Sequence, residues 1–298
     1  MSNLDRIVIG TASWRQSYGT IIPDTGLSKK NIYNILDRLL ELGINKLDTA
    51  DSYGDVLEVL ASYENLDRFH IVTKFHYDQY NYLNSRDSVL KQYEHLENSA
   101  TTSFMIHNPN CCYINMNEFV EEVTKQFSSK PTHTKFGVSI YTPDELDDCM
   151  SSVFDPQMIQ LPFCFGDDRW SQSLGQEKTR YGHKLDNLDF YARSIFLQGT
   201  LLERKLTNVT DNLKLRKTLK NWWAFIDKES IDPYQLCLAA VVKADFLNYI
   251  IVGCKSIDEI NTLAKIILSV ELDEYINILQ SSFTFERDIL DIRTWNLN

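Results

Sequence analysis

Four residues whose side chains suit proton transfer follow or close short apolar segments of the chain: Asp48, Tyr53, Lys74 and His107. A phenol with an ordinary pKa of about 10 is a weak acid near neutrality, and a neighbouring ammonium lowers that pKa by favouring the phenolate. A carboxylate would keep the ammonium charged, and an imidazole would hydrogen-bond a substrate oxygen. The set therefore suits proton transfer to a carbonyl oxygen, with Tyr53 as the acid and Lys74 as the group that lowers its pKa.

Each of these residues also has a structural explanation when it is taken alone. Asp48 is able to cap a turn, and Lys74 to form an ion pair. On this interpretation Tyr53 is an aromatic side chain at the edge of the fold. His107 is then a histidine at a strand end whose ring nitrogens hydrogen-bond nearby backbone groups. The functional interpretation is favoured only jointly, if one fold brings consecutive strand ends together.

Eight short apolar, β-branched segments, separated by helical stretches, predict such a fold. They are residues 6–12, 46–50, 70–75, 103–108, 135–140, 158–163, 189–196 and 249–255. The segment Leu27–Leu42 has helical spacing, with Ser28 as a plausible N-cap and Gly43 just past its end. Alternation of this kind predicts parallel strands buried on both faces, and eight of them close into a (β/α)8 TIM barrel with its active site at the C-terminal strand ends. An open doubly wound sheet is the alternative, but Gly10 stands alone before Thr11 without a GxGxxG motif.

Bulk composition agrees with an ordinary globular enzyme. The chain has 298 residues and a formal net charge of -11, so we expect one domain over residues 1–298 and neither nucleic acid nor membrane as a partner. The first residues lack a signal-peptide pattern, which favours the cytoplasm. The six cysteines and six histidines lack zinc-site spacing, so no metal is expected. A monomer or weak homo-oligomer is the default.

Several ordered motifs are similar to those of the aldo-keto reductases. DTADSYG (48–54), TKF with Lys74 and MIHNPN with His107 resemble the family's catalytic tetrad motifs. GVSIYTPDEL, IQLPF, ARSIFLQGTLL and IIVGCKS resemble its cofactor-binding segments, and the similarity runs from GTASW to about Ile266. The resemblance implies reduction of a small-molecule aldehyde or ketone by hydride from NADH or NADPH, with Tyr53 as general acid.

The resemblance also implies which residues hold the cofactor across the barrel mouth. Ser139 and Gln160 would hold the carboxamide, and Phe163 would stack near the nicotinamide. The other residues expected to contact the cofactor are Gly10, Thr11, Asp48, Ser194, Leu197, Gly199, Gly253, Lys255, Ser256 and Glu259. Of these, Ser194, Leu197 and Gly199 would line the pyrophosphate path. Lys255 and Ser256 would lie by the adenosine ribose or its phosphate.

Three positions depart from the family pattern and affect the cofactor. Ile140 stands where Asn is usual, Glu259 where many relatives carry Arg or Gln, and Leu263 near a usual Asn. A carboxylate at Glu259 would repel a 2′-phosphate and accept ribose hydroxyls, whereas Lys255 would favour the phosphate. We therefore expect a preference for NADH, or use of both cofactors.

The segments GVSIYTPDEL and ARSIFLQGTLL also resemble a bacterial subgroup associated with surface-polysaccharide and unusual-sugar pathways. The substrate class that this implies is a keto or aldehyde sugar, free or nucleotide-linked. Trp14 and Trp170 are candidates for stacking on a sugar face, with Tyr18 nearby, and Arg169 for binding a carboxylate or phosphate. Tyr53 and His107 would contact the same substrate.

Two other functions stay open from the residues. The first is a nucleotide-binding sensor or regulatory subunit of the same fold with little turnover, because the cofactor positions depart from the family. The second is sugar isomerisation or hydrolysis, which needs paired carboxylates at strand ends. The predicted strand ends offer mainly Asp48, so the reductase is the preferred interpretation.

Overall fold

The structure is a computed structural model that describes residues 2–15, 26–108, 115–127, 134–170, 174, 181–204, 212–269, 275, 278 and 283–295. Eight parallel strands pair in chain order and close into a barrel because the last also pairs with the first. The strands are β1 Ile7–Gly10, β2 Lys46–Asp48, β3 His70–Phe75, β4 Thr101–Ile106, β5 Phe136–Ser139, β6 Met158–Pro162, β7 Asp189–Arg193 and β8 Tyr249–Gly253. The predicted TIM barrel is confirmed.

Helices follow the strands along the described part of the chain. The helices are α1 Lys29–Glu41, α2 Val56–Ala61, α3 Tyr82–Leu96, α4 Met116–Gln126, α5 Pro143–Ser151, α6 His183–Asp186, α7 Leu213–Glu229, α8 Pro233–Val242, α9 Ile257–Leu268 and α10 Arg287–Leu290. Short 3-10 turns occur at Leu4–Arg6, Leu66–Arg68 and Ile292–Thr294. Among the residues described, no helix is both long and apolar enough to cross a membrane.

The first helix illustrates how local sequence sets the element boundaries. The Ser28 hydroxyl accepts the Asn31 N–H at 3.2 Å and so caps an otherwise unpaired donor of α1. Past the other end, Gly43 has a φ of 76°, a left-handed conformation that glycine adopts without steric cost. The predicted cap and stop of this helix are both confirmed.

The packing of the strands separates the two mouths of the barrel. Six side chains fill the barrel interior below the site: Val8, Val72, Met105, Met158, Tyr191 and Ile251. Between β5 and β6 the backbones approach so closely that a Cβ on Gly137 would lie 2.2 Å from the Met158 carbonyl oxygen. Polar strand-end residues therefore sit above a packed apolar floor, which keeps water from reaching them through the barrel.

Some predicted strand ends were wrong. The seventh strand was expected to reach Phe196, but it ends at Arg193 because Ser194 takes a left-handed φ of 56° and leaves the sheet. The fourth begins two residues earlier than predicted, because Thr101 and Thr102 pair with His70 and Ile71. The same strand ends at Ile106, so His107 lies one residue beyond the end of β4.

Candidate active site

A buried ion pair forms the base of the site. Lys74, near the end of β3, donates from Nζ to Oδ2 of Asp48 at 2.6 Å and to the Thr49 carbonyl at 3.1 Å. The other carboxylate oxygen of Asp48 accepts the Gln160 side-chain amide at 2.7 Å. Both charged side chains are almost inaccessible to solvent, at 1% and 6% exposed. Three strands are thus tied together at one point, with both carboxylate oxygens satisfied.

Tyr53 and His107 lie directly over this pair. The Lys74 ammonium is 5.2 Å from the centroid of the Tyr53 ring. The Tyr53 and His107 rings meet edge to face, with centroids 6.2 Å apart. The structure therefore brings all four residues into one cluster, in which the half-buried phenol and imidazole lie above the ion pair.

The electrostatics of Tyr53 differ from the expectation. Burial raises the pKa of the phenol well above its ordinary value, and the Asp48 carboxylate raises it further. The Arg193 guanidinium acts in the opposite direction and lowers the pKa. Lys74, which was expected to lower it, pairs with the Asp48 carboxylate at 2.6 Å, and its effect on Tyr53 stays a prediction. Tyr53 is therefore fully protonated at rest, as a proton donor must be.

His107 is a neutral imidazole in this environment. Burial lowers its pKa to about 3, and the positive charges of Lys74, His76 and Arg193 act in the same direction. A neutral imidazole donates through one ring nitrogen and accepts through the other. It is suited to hydrogen-bonding a carbonyl oxygen without carrying a charge into the site.

Arg193 is a site residue that the sequence reasoning missed. Its guanidinium lies 4.1 Å from the centroid of the Tyr141 ring and donates to the Ser139 hydroxyl at 3.4 Å and the Ile140 carbonyl at 3.0 Å. It closes β7, but the predicted strand ran on to Phe196, so the sequence pattern did not place Arg193 at a strand end. The site thus holds a second cation, and this one faces the cavity.

An open cleft runs from Tyr53 across the mouth to the start of α9. Nine of the predicted residues line it: Gly10, Asp48, Tyr53, Gln160, Ser194, Gly199, Gly253, Lys255 and Glu259. Unpredicted neighbours include Ser13, Arg193, Phe196 and Gln198. One continuous cavity therefore connects the proton-transfer cluster to the β7 and β8 ends.

The loop after β7 gives this cleft an unusual wall. Ser194, Leu197 and Gln198 are non-glycine residues with φ of 56°, 46° and 59°, and Gly199 follows at 84°. Left-handed non-glycine residues cost on the order of 1–3 kcal/mol each, and they cluster where a ligand requires the backbone shape. Such a concave stretch of backbone is typical of an anion-binding wall.

Comparison with known proteins identifies the family. The family model described as the aldo/keto reductase family matches residues 6–280, which is most of the chain. The chain belongs to the aldo/keto reductase family. Family membership supports an oxidoreductase activity on carbonyl compounds. A search of curated proteins finds no match.

Solved aldo/keto reductases share the fold. The holo form of the aldo-keto reductase AKR11C1 from Bacillus halodurans is 18% identical, with a TM-score of 0.65 and 94% of each chain covered. A putative aldo-keto reductase from Pseudomonas aeruginosa is 14% identical, with a TM-score of 0.60 and coverage of 88% of this chain and 89% of that one. At these identities the likeness concerns the fold.

Several residues that the aldo/keto reductase resemblance assigned to the cofactor lie behind the cleft wall. Thr11 is buried, and both its N–H and its hydroxyl bond the Asp48 carbonyl. Phe163 packs edge to face on Phe246, and the Leu197 side chain lies in the core. Ser139 is buried beneath Gln160, to whose oxygen it donates at 3.3 Å. These side chains support the wall and do not line it.

The β8–α9 junction uses two predicted cofactor residues to cap a helix. Ser256 is the N-cap of α9 and accepts the Glu259 N–H at 3.1 Å. The Glu259 carboxylate accepts the Lys255 N–H at 2.7 Å, and it still lines the cleft. Leu263 is fully buried and packs in the hydrophobic core.

The two tryptophans predicted to stack on substrate lie in the core of this aldo/keto reductase. Trp14 and Trp170 are both 0% exposed. Their indole N–H groups donate to the carbonyls of Cys254 and Pro162, at 2.8 and 2.7 Å. A stacking platform needs an exposed ring face, so the predicted role is wrong for both residues.

Arg169 and Tyr18 were also expected to lie near the substrate. Arg169 is buried and paired with Asp167 at 2.7 Å, so it does not present its charge to the cleft. Tyr18 lies outside the described residues.

Proposed function

We propose that this chain catalyses the reduction of an aldehyde or ketone by hydride from a nicotinamide dinucleotide, with Tyr53 as the proton donor. The observation that carries the proposal is the convergence of Tyr53 and His107 over the buried Lys74–Asp48 pair at one end of the open cleft. A set of carboxylates without a phenol would instead have favoured hydrolysis.

The proton chemistry follows from the environment of each group. As hydride reaches the carbonyl carbon, negative charge develops on the oxygen, and an alkoxide is basic enough to take the proton of a phenol. His107 is neutral and orients the oxygen by a hydrogen bond. The cation of Arg193 lowers the pKa of Tyr53, and the Lys74 ammonium lies 5.2 Å from its ring centroid, so both favour the phenolate left behind.

The cofactor supplies the hydride when it is bound, and the cleft has the donors that a dinucleotide needs. Gln160 and Arg193 would hold the carboxamide end, with Arg193 replacing the polar side chain that Ile140 lacks. The left-handed loop from Ser194 to Gly199 would hold the pyrophosphate. Lys255 and Glu259 would meet the adenosine ribose. The buried predicted residues Ser139, Thr11 and Phe163 would support these contacts.

Cofactor titration is the first test of this function. We expect NADH or NADPH to quench protein fluorescence saturably at micromolar concentrations and carbonyl substrates to be reduced when it is present. If neither cofactor binds at millimolar concentration, the reductase proposal fails. Saturable binding without turnover on a broad carbonyl panel would instead favour the nucleotide-binding sensor.

Replacing Arg193 tests whether it belongs to the cofactor site. We expect Arg193→Met to weaken cofactor binding by about tenfold or more, because charge-assisted hydrogen bonds contribute about 1.5–3 kcal/mol. Arg193→Lys should recover part of the affinity, since it keeps the charge but loses the planar fork. Fluorescence titration measures both. Equal affinity in all three proteins would remove Arg193 from the cofactor site.

Glu259 tests the choice between the two cofactors, for which we propose NADH preference or dual use. Glu259→Gln keeps an oxygen that can accept the Lys255 N–H but removes the charge. We expect the ratio of NADPH affinity to NADH affinity to rise several-fold, because repulsion of the 2′-phosphate is removed. The titrations need matched salt. An unchanged ratio would show that Glu259 acts only as a helix cap.

For the substrate we propose a keto or aldehyde sugar, free or nucleotide-linked. The support is the subgroup resemblance of Ala192–Leu202, together with the polar side chain of Ser13 in the cleft, which suits a sugar hydroxyl. We expect kcat/KM for the best keto sugar to exceed that for simple aldehydes of similar reactivity. The reverse order would contradict the sugar assignment.

A further inference from the structure

Three residues from successive strand ends form a cluster beside the proposed reductase site. Asp51 follows β2, His76 follows β3 and His107 follows β4. One nitrogen from each imidazole and one carboxylate oxygen lie within 4.8 Å of one another. The two imidazole rings are 5.2 Å apart between centroids. Two histidines and a carboxylate are a common ligand set for zinc and other divalent transition metals.

Two of the three residues contribute a buried atom that has no partner. Oδ1 of Asp51 and Nδ1 of His107 are both inaccessible, and neither has a hydrogen-bond partner among the residues that the structure describes. Leaving such atoms unsatisfied costs about 1–3 kcal/mol each. Buried polar atoms without partners are rare in native proteins and indicate an ion or a water that completes them. An ion that accepts electron pairs completes both atoms when His107 carries its proton on Nε2.

The Asp51 carboxylate is held by a chain of hydrogen-bonded side chains. Its Oδ2 accepts the Ser88 hydroxyl at 2.9 Å, and Ser88 in turn accepts the Gln92 amide at 3.1 Å. The Gln92 oxygen accepts the Thr73 hydroxyl at 2.5 Å. Second-layer hydrogen bonds of this kind orient metal ligands in proteins. The chain occupies Oδ2 and leaves Oδ1 for another partner.

We infer that Asp51, His76 and His107 form a binding site for a divalent transition metal ion, with Zn²⁺ as the ion of best-matched chemistry. Zinc holds imidazole nitrogens and carboxylate oxygens at about 2.0–2.2 Å, so its tetrahedral ligands lie about 3.4 Å apart. The cluster has to contract by about 1.4 Å at most to reach that spacing. His76 is exposed, and rotation of its side chain provides the movement. Three protein ligands leave the fourth position for water.

Neighbouring charges act on a bound cation in both directions. The Lys74 and Arg193 cations both lower the pKa of His107, and Asp48 pairs with Lys74 at 2.6 Å. Asp51 brings a negative charge to the site itself. None of the three ligands lines the open cleft, so the ion and the dinucleotide occupy different spaces. The cluster escapes sequence inspection because its members follow three different strands, without the short spacing of a zinc motif.

The site has a consequence that rests on the proposed function. Bound Zn²⁺ fixes the orientation of the His107 ring through one nitrogen, so the other nitrogen is no longer free to turn toward the carbonyl oxygen. Zn²⁺ therefore inhibits carbonyl reduction at concentrations that fill the site, and a chelator restores the activity.

Calorimetric titration of the full chain with Zn²⁺ alone tests the binding without any need for turnover. We expect one ion per chain, and an affinity at least tenfold weaker in His76→Gln, with an unchanged circular dichroism spectrum. His95→Gln, a half-buried histidine on α3, is the matched control and should bind as the natural chain does. No saturable binding, or equal affinity in His76→Gln, would overturn the site and leave a bridging water as the explanation.

Cobalt provides a spectroscopic test of the ligand set. Co²⁺ bound through nitrogen and oxygen should show d–d absorption without a thiolate charge-transfer band, and His76→Gln should lose it. A thiolate band would place the metal on cysteine and overturn the assignment. In the activity assay, Zn²⁺ should inhibit the natural chain and His95→Gln but not His76→Gln. If the cofactor titration fails while Zn²⁺ still binds, the reductase proposal falls and the metal site stands.

Discussion

Tyr53→Phe is expected to lower kcat for carbonyl reduction by about 10²- to 10⁴-fold, the usual contribution of a positioned general acid. The substitution removes one hydroxyl and keeps the ring that lies over the Lys74 ammonium. Because the proton moves only in the transition state, the dissociation constants of NADH and NADPH should stay within about twofold. Steady-state kinetics and fluorescence titration of the same preparation measure the two quantities.

Tyr63→Phe is a matched control for this experiment. Tyr63 is also buried, and its hydroxyl donates to Asp37 at 2.6 Å, away from the cleft. Its loss should cost about 1 kcal/mol of stability and leave kcat unchanged. Turnover by Tyr53→Phe at the natural rate would remove Tyr53 from the mechanism, while equal losses in both variants would point to a general effect on folding.

The positions of the catalytic cluster were predictable because a barrel gives strand ends a fixed place. Parallel strands in chain order bring the ends of β2, β3 and β4 together, so Asp48, Lys74 and His107 had to be neighbours once the eight segments were recognised. Apolar β-branched runs specify such strands strongly, since both faces are buried. The closed barrel and the family were therefore accessible from sequence patterns alone.

The direction and surroundings of individual side chains were not predictable in the same way. Trp14 follows β1, as a mouth residue should, yet it is buried because its indole finds the Cys254 carbonyl 240 positions along the chain. Arg193 was passed over because a left-handed Ser194 ends β7 earlier than the apolar pattern indicates. Long-range packing and single backbone angles decide these cases, and neither has a sequence period.

The electrostatic roles were the least predictable part of the site. A carboxylate, an ammonium and a phenol at adjacent strand ends allow several pairings, and the one that forms depends on distances. Lys74 pairs with Asp48 at 2.6 Å, and Arg193, from the end of β7, is a further cation that lowers the pKa of Tyr53. The sequence predicts which charged groups are neighbours, whereas the distances between their atoms decide which of them form a pair.

Lys74→Met is expected to reduce both stability and turnover. Removing the ammonium leaves the Asp48 carboxylate buried, with the Gln160 amide at 2.7 Å as its remaining side-chain partner in the described residues. Breaking a buried ion pair from one side costs about 3–5 kcal/mol. Urea denaturation should show this as a lower midpoint with a similar slope. The loss of kcat should reach at least about a hundredfold.

The double variant Asp48→Asn/Lys74→Met separates the structural role of the pair from its catalytic role. Replacing both charges removes the unpaired carboxylate, and neutral replacements of buried pairs are often no less stable than the pair itself. We therefore expect the urea midpoint to return close to that of the natural chain, while kcat stays as low as in Lys74→Met, since no ammonium supports the Tyr53 phenolate. Recovery of both the urea midpoint and kcat would show that the pair has a structural role only. Recovery of neither quantity would mean that the introduced amide cannot satisfy the buried groups that Asp48 contacts.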